Sequence, residues 1–207
     1  MVNNKSVKEF IDFAFVPFSK SQCIKRLFCI WLFSAVLCFI GGYSKKWMVL
    51  LCAANIVTSV LFIMLITKLA SDRISRYLCD GIFYLHTAII FNMASYRVIT
   101  LLIKPNWILL LILLILLVAC VAIFLLVTLQ NIKSGKFSGI NGGKKVVWIP
   151  LLGSVCGIVS ANLFLRGQSQ QVALTVVAIV LLFLSFILCI PSINLLRAVL
   201  YQKTRQG

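Results

Sequence analysis

Acidic residues are almost missing from this chain: four in 207 positions, against twenty lysines and arginines. No span holds a pair of carboxylates, which excludes paired-carboxylate metal or proton chemistry inside a membrane. Histidine occurs once, as His86, and no C-x-x-C is present, so no zinc-like ligand set and no metal or other cofactor is expected. Neither G-x-S-x-G nor H-E-x-x-H occurs. The Asn-Gly-Gly at 141–143 lacks the glycine spacing and the Lys-Ser/Thr of a phosphate loop. Long polar stretches are scarce as well; the longest segment that is not strongly apolar is residues 1–26, with a flexible basic loop at 131–145 as the one linker-like stretch, which leaves no room for a separate soluble domain.

What is present is apolar: 62% hydrophobic residues and a mean hydropathy of +1.09, far outside soluble usage. The runs are continuous rather than alternating, which favours helices over a barrel. Six of them approach the roughly 20 residues that cross a hydrocarbon core: 27–43, 47–67, 81–103, 107–129, 146–165 and 172–196. The expected fold is therefore all-α, a single six-helix membrane domain over 27–207. A cytoplasmic N-terminal segment, 1–26, precedes it. There Val7, Phe10, Ile11 and Ala14 share one helical face and Pro17 ends the pattern, reading as a short amphipathic helix at the membrane interface. No apolar h-region or cleavage site marks a removable signal peptide. Trp47, Trp107 and Trp148 stand at span ends, where indoles prefer the interface.

Counting lysines and arginines by loop sets the orientation. With the N-terminus inside, fifteen lie on the cytoplasmic side and four outside, with Arg97 within a span. Both termini are thus expected in the cytoplasm, and a bacterial plasma membrane suits the pattern. The net charge of +16 then reflects attraction to anionic lipid at the cytoplasmic face rather than nucleic-acid binding. None of the eight cysteines falls in an outer loop, so no disulfide framework is expected, and most read as small buried hydrophobes.

The stretch from Ser71 to Lys104 stands apart, because it alone carries chemistry within an apolar segment. At 100° per residue, Cys79, His86 and Arg97 fall within about 20° of one another, with Phe83, Ile90 and Met93 completing the stripe. Polar groups in a bilayer turn toward other helices or water, so this third span is expected at the centre of the bundle. Its polar positions are His86, Arg97 and Asn92, with Asn55, Thr58, Ser59 and Asn162 as candidate partners. Arg97 also stands close enough to the outer end to snorkel. Elsewhere, Gly153, Gly157 and Ala161 recur every four residues as a close-packing face, within the chain or in a homo-oligomer. Pro191 is expected to kink the last span.

Three functions fit these features. The first is the membrane subunit of a transport or export system with a separate cytoplasmic ATPase, which would seat on a coupling helix over 68–80 through Arg73 and Arg76. In the order of its segments, though in no motif, the chain resembles the small six-helix permeases of the ABC-2 type. The second is an accessory or immunity protein binding another membrane component. The third is an intramembrane cysteine peptidase using Cys79 and His86. Basic membrane endopeptidases that process quorum-sensing peptides pair His and Cys seven apart, but with the His first; here the order is reversed. A non-enzymatic protein is the expectation.

Overall fold

Pro191 interrupts the last long helix. A proline cannot donate to the carbonyl four residues back, which here belongs to Ile187. The Ile190 N–H takes that carbonyl instead, and the backbone tightens into a 3₁₀ turn over Ile190–Ile193. Ser192 Oγ covers the Cys189 carbonyl, and a helix resumes at Asn194. Where the sequence leads one to expect a kink, the backbone passes through a four-residue 3₁₀ turn.

The fold comes from a computed structural model, which describes residues 4–12, 17, 19–39, 44–68, 72–135 and 169–206. All regular structure among them is helical. In chain order the elements are α1 (Asn4–Asp12), α2 (Lys20–Phe39), α3 (Lys45–Lys68), α4 (Asp72–Ile99), α5 (Trp107–Lys133), α6 (Gln170–Cys189), the 3₁₀ turn and α7 (Asn194–Gln206). Among the described residues, four segments are long and apolar enough to cross a membrane: Lys45–Thr67, Arg73–Ile99, Trp107–Lys133 and Gln170–Arg205. The chain is a multi-pass membrane protein. The expected span over 146–165, with Gly153, Gly157, Ala161 and Asn162, lies outside the described residues, as does Trp148.

Helix α4 is the hub. It packs most extensively on α6 and also meets α2, α3, α5, the 3₁₀ turn and α7. Half of its most apolar window is buried, against 11% for α5, whose Leu111, Ile115 and Val118 stay exposed as lipid-facing positions do. The reason is compositional: the polar groups of α4 need protein partners, whereas the leucines of α5 need none. Gly81 deepens the packing, since a Cβ there would come within 2.6 Å of Leu195 Cγ and 3.0 Å of the Leu195 backbone nitrogen. The segment from Asp72 to Asp80 is not a separate coupling helix. It runs unbroken into the span, because Gly81 sits within the helix as a contact point rather than ending it.

At the far end of α4, Thr100 Oγ1 bonds the Arg97 carbonyl, and a turn leads to Asn106, whose side chain caps α5 by accepting from the Ile108 N–H at 2.9 Å. Trp47 lies against Tyr96 at this end, with ring centroids 5.8 Å apart. At the opposite end, α1 draws several elements together. Val7, Phe10 and Ile11 are buried against Tyr77, Ile132 and Ala198, so the apolar face of α1 is covered by protein. Ser6 Oγ donates to the Ile132 carbonyl at 2.7 Å, Tyr77 donates to the Ile11 carbonyl, and Arg73 pairs with Asp12. The first turn of α4, the last turn of α5, and α7 therefore meet at one end of the molecule. The exposed cations Lys8, Lys133 and Lys203 belong to these elements, and Lys20 and Lys25 to the first turns of α2, whose Gln22 and Arg26 meet Arg76 and Asp80 of α4.

Candidate functional site

The stripe Cys79, His86, Arg97 turns as one face toward α2 and α3. From Cys79 to Arg97 is eighteen residues, about 27 Å of helical rise, close to the roughly 30 Å of a hydrocarbon core. At each of three levels the stripe meets a polar partner, forming a polar seam along the helix.

The middle level is the most developed. His86 is buried at 9% exposure, with Nε2 2.9 Å from Asn55 Oδ1 and Nδ1 3.0 Å from Thr58 Oγ1. Ser34 on α2 donates to the same Asn55 oxygen at 3.1 Å. That oxygen is only an acceptor, so Nε2 carries its hydrogen in this network. In the neutral ring, Nδ1 then accepts from the Thr58 hydroxyl. In the imidazolium, Nδ1–H donates to Thr58, whose own hydrogen goes to the Ala54 carbonyl at 3.0 Å. Both protonation states are fully bonded, so the site can gain or release a proton without stranding a polar group. Ser59 belongs to the margin of this network: it donates to the Asn55 carbonyl at 2.7 Å and accepts from Trp31 Nε1 at 3.1 Å.

One end of the seam is charged. Asp80 pairs with Arg26 of α2 and, one turn away on its own helix, with Arg76 at 3.1 Å. Arg76 also donates to Gln22 Oε1. Beside this cluster the Cys79 and Cys23 sulfurs lie 3.1 Å apart, and Arg26 Nη1 is 3.7 Å from Cys79 Sγ. At the other end Arg97, only 4% exposed, donates to the Cys38 carbonyl in the last turn of α2. A cation there suits the unpaired carbonyls and negative dipole of a helix C-terminus. Arg97 is thus inside the bundle rather than extended to the surface.

Not every predicted neighbour is one. Asn92 is six residues from His86, which turns it about 120° off the stripe; its Nδ2 approaches the Leu113 carbonyl of α5 at 3.4 Å. Cys79 and His86 share a face but stand two turns, about 10 Å, apart along the axis. Each is bonded to other groups, so the structure does not assemble a nucleophile and its base. Arg73 and Arg76 are engaged within the molecule, Arg73 with Asp12 and over the Tyr201 ring at 5.8 Å. Ser34, Cys23 and Arg26 are not singled out by the sequence as site residues, and Asp80, a sequence candidate for orienting the His86 ring, pairs with Arg26 and Arg76 instead. A lone serine inside an apolar run was the available signal for Ser34. Among the described residues there is no cluster of three or more metal-ligating side chains.

Comparison of the chain with protein-family models, with curated proteins and with solved structures returns no match.

Proposed function

We propose that this protein is the membrane subunit of a transport or export system, working with a separate cytoplasmic partner that supplies energy. The observation that carries this reading is the polar seam, whose groups recur at three levels over about the thickness of a bilayer. A protein that merely resided in lipid would have no use for a buried, hydrogen-bonded histidine, and intramembrane ionisable residues are costly unless they serve a path or a switch. In this reading six spans cross the plasma membrane, with α2 as the first. The end that gathers α1, the start of α4, the end of α5 and α7 faces the cytoplasm, as the positive-inside rule requires. Its exposed lysines meet anionic lipid and an ATPase.

The test is a mild-detergent purification of the tagged protein with mass spectrometry of what accompanies it. It is run beside a variant carrying Lys20→Glu, Lys25→Glu and Lys203→Glu, three exposed cations that serve as the docking probe. A cytoplasmic ATPase that accompanies the wild type and is lost from the variant supports the proposal. Recovery of an integral membrane or secreted protein alone, unaffected by the charge reversal, overturns it in favour of an accessory or immunity role.

A further inference from the structure

Cys23 and Cys79 come from helices 56 residues apart in sequence, yet their sulfurs lie 3.1 Å from each other. A disulfide bond is about 2.05 Å long, so closing one here asks for an approach of about 1 Å. Both side chains are essentially unexposed, packed among Phe62, Leu65, Leu27 and Phe83. Nothing in that apolar setting calls for two thiols; a pair of alanines or a valine would fill it as well.

The charges beside the pair give it a direction of reaction. Arg26 and Arg76 bring two positive charges against the single carboxylate of Asp80. Arg26 reaches past that carboxylate to Cys79 Sγ, at 3.7 Å. A thiolate on Cys79 would balance the surplus charge, and thiolate beside arginine is the reactive form of cysteine. The Cys23 sulfur stands directly against that of Cys79, which suits it to the second, resolving role.

We infer that Cys23 and Cys79 form an oxidisable dithiol, with hydroperoxides as the oxidant class, whose closure to a disulfide staples α2 to α4 at the charged end of the seam. The Cys79 thiolate attacks the terminal oxygen of the hydroperoxide; an S–O bond forms, the O–O bond breaks and the departing oxygen leaves as alkoxide or hydroxide. Cys23 sulfur then displaces the hydroxyl from the Cys79 sulfenic acid. The Cys23 proton joins the departing hydroxyl as water. Two electrons pass from the two sulfurs to the peroxide. A small dithiol reverses the step by exchange. The inference stands whether or not the chain serves in transport.

The experiment uses full-length protein in detergent, exposed to hydrogen peroxide, denatured, alkylated and mapped by mass spectrometry. Free thiols are counted in parallel with a maleimide mass tag. The expected result is a Cys23–Cys79 cross-linked peptide, lighter by two hydrogens than its separated halves, with two of the eight thiols lost and both regained in dithiothreitol. Cys23→Ser should leave Cys79 oxidised but uncrosslinked. Arg26→Gln should slow the reaction several-fold while still giving the same peptide, so slower chemistry and misfolding stay distinguishable. The inference is overturned if the linked peptide is absent from folded wild type, if Cys79 resists oxidation, or if the bridge joins two chains.

Discussion

The two faces of α4 hold the bundle together in different ways. Toward α6 the contacts are side chain to backbone: Ser95 Oγ donates to the Ala178 carbonyl at 2.8 Å, and Ser185 Oγ returns the favour to the Ala88 carbonyl at 2.9 Å. Small residues between them, Ala88, Ala94 and Ala178, let the helices approach, as Gly81 does under Leu195. Toward α2 and α3 only Arg97 uses a backbone carbonyl, that of Cys38; the other partners described are side chains, and they include a titratable ring, a thiol pair and an ion-pair cluster. Backbone carbonyls never change protonation or leave their helix, so the first face is a fixed joint. The second is built of groups that can exchange partners, and such a face suits a path or a switch.

Substitutions rank the two faces by stability. The largest loss is expected from Asp80→Ala, which takes the one carboxylate from two guanidiniums that are only 11% and 18% exposed. About 3 kcal/mol is expected from breaking such a pair from one side, read as a lowered thermal midpoint in detergent. A loss no larger than that of a surface substitution would mean the cluster is solvated. Gly81→Ala follows, at about 1 to 3 kcal/mol for overpacking against Leu195; an unchanged midpoint would show that α7 simply moves aside. Ser95→Ala and Ser185→Ala are each expected to cost about 1 kcal/mol, and more together if the joint acts as a unit, which a double-mutant cycle measures. The smallest effect on folding is expected from His86→Gln, within about 1 kcal/mol, because Ser34 still bonds Asn55 and Thr58 still bonds Ala54. If the chain serves in transport as proposed, that activity should nevertheless fall with this change and survive the serine substitutions.

Much of this contrast was legible in the residues. The 100° arithmetic put Cys79, His86 and Arg97 on one line, and Asn55 and Thr58 were named as partners because a polar group in a long apolar run must find one. What periodicity could not supply was the identity of the facing helix. The sulfur pair needed α2 to be placed against α4, and the serines of the α6 joint resemble incidental small residues until their carbonyl partners are seen. Asn92 belongs with neither group; its Oδ1 is buried without a hydrogen-bond partner among the described residues. The amphipathic pattern of α1 was equally visible, but an apolar stripe does not say whether lipid or protein covers it. Here Tyr77, Ile132 and Ala198 do.

The most direct test uses water as the probe, since all positions concerned are buried to a similar degree. In protein cleared of its native cysteines and embedded in native membranes, single cysteines are introduced on the two faces. Ser34→Cys, Asn55→Cys and His86→Cys line the seam; Ala88→Cys, Ser95→Cys and Ala178→Cys line the joint. Each is exposed to a charged, membrane-impermeant thiol reagent. If the seam is a working path, its three positions react and the three of the joint do not. Equal silence on both faces, or reaction at the joint alone, would contradict the account.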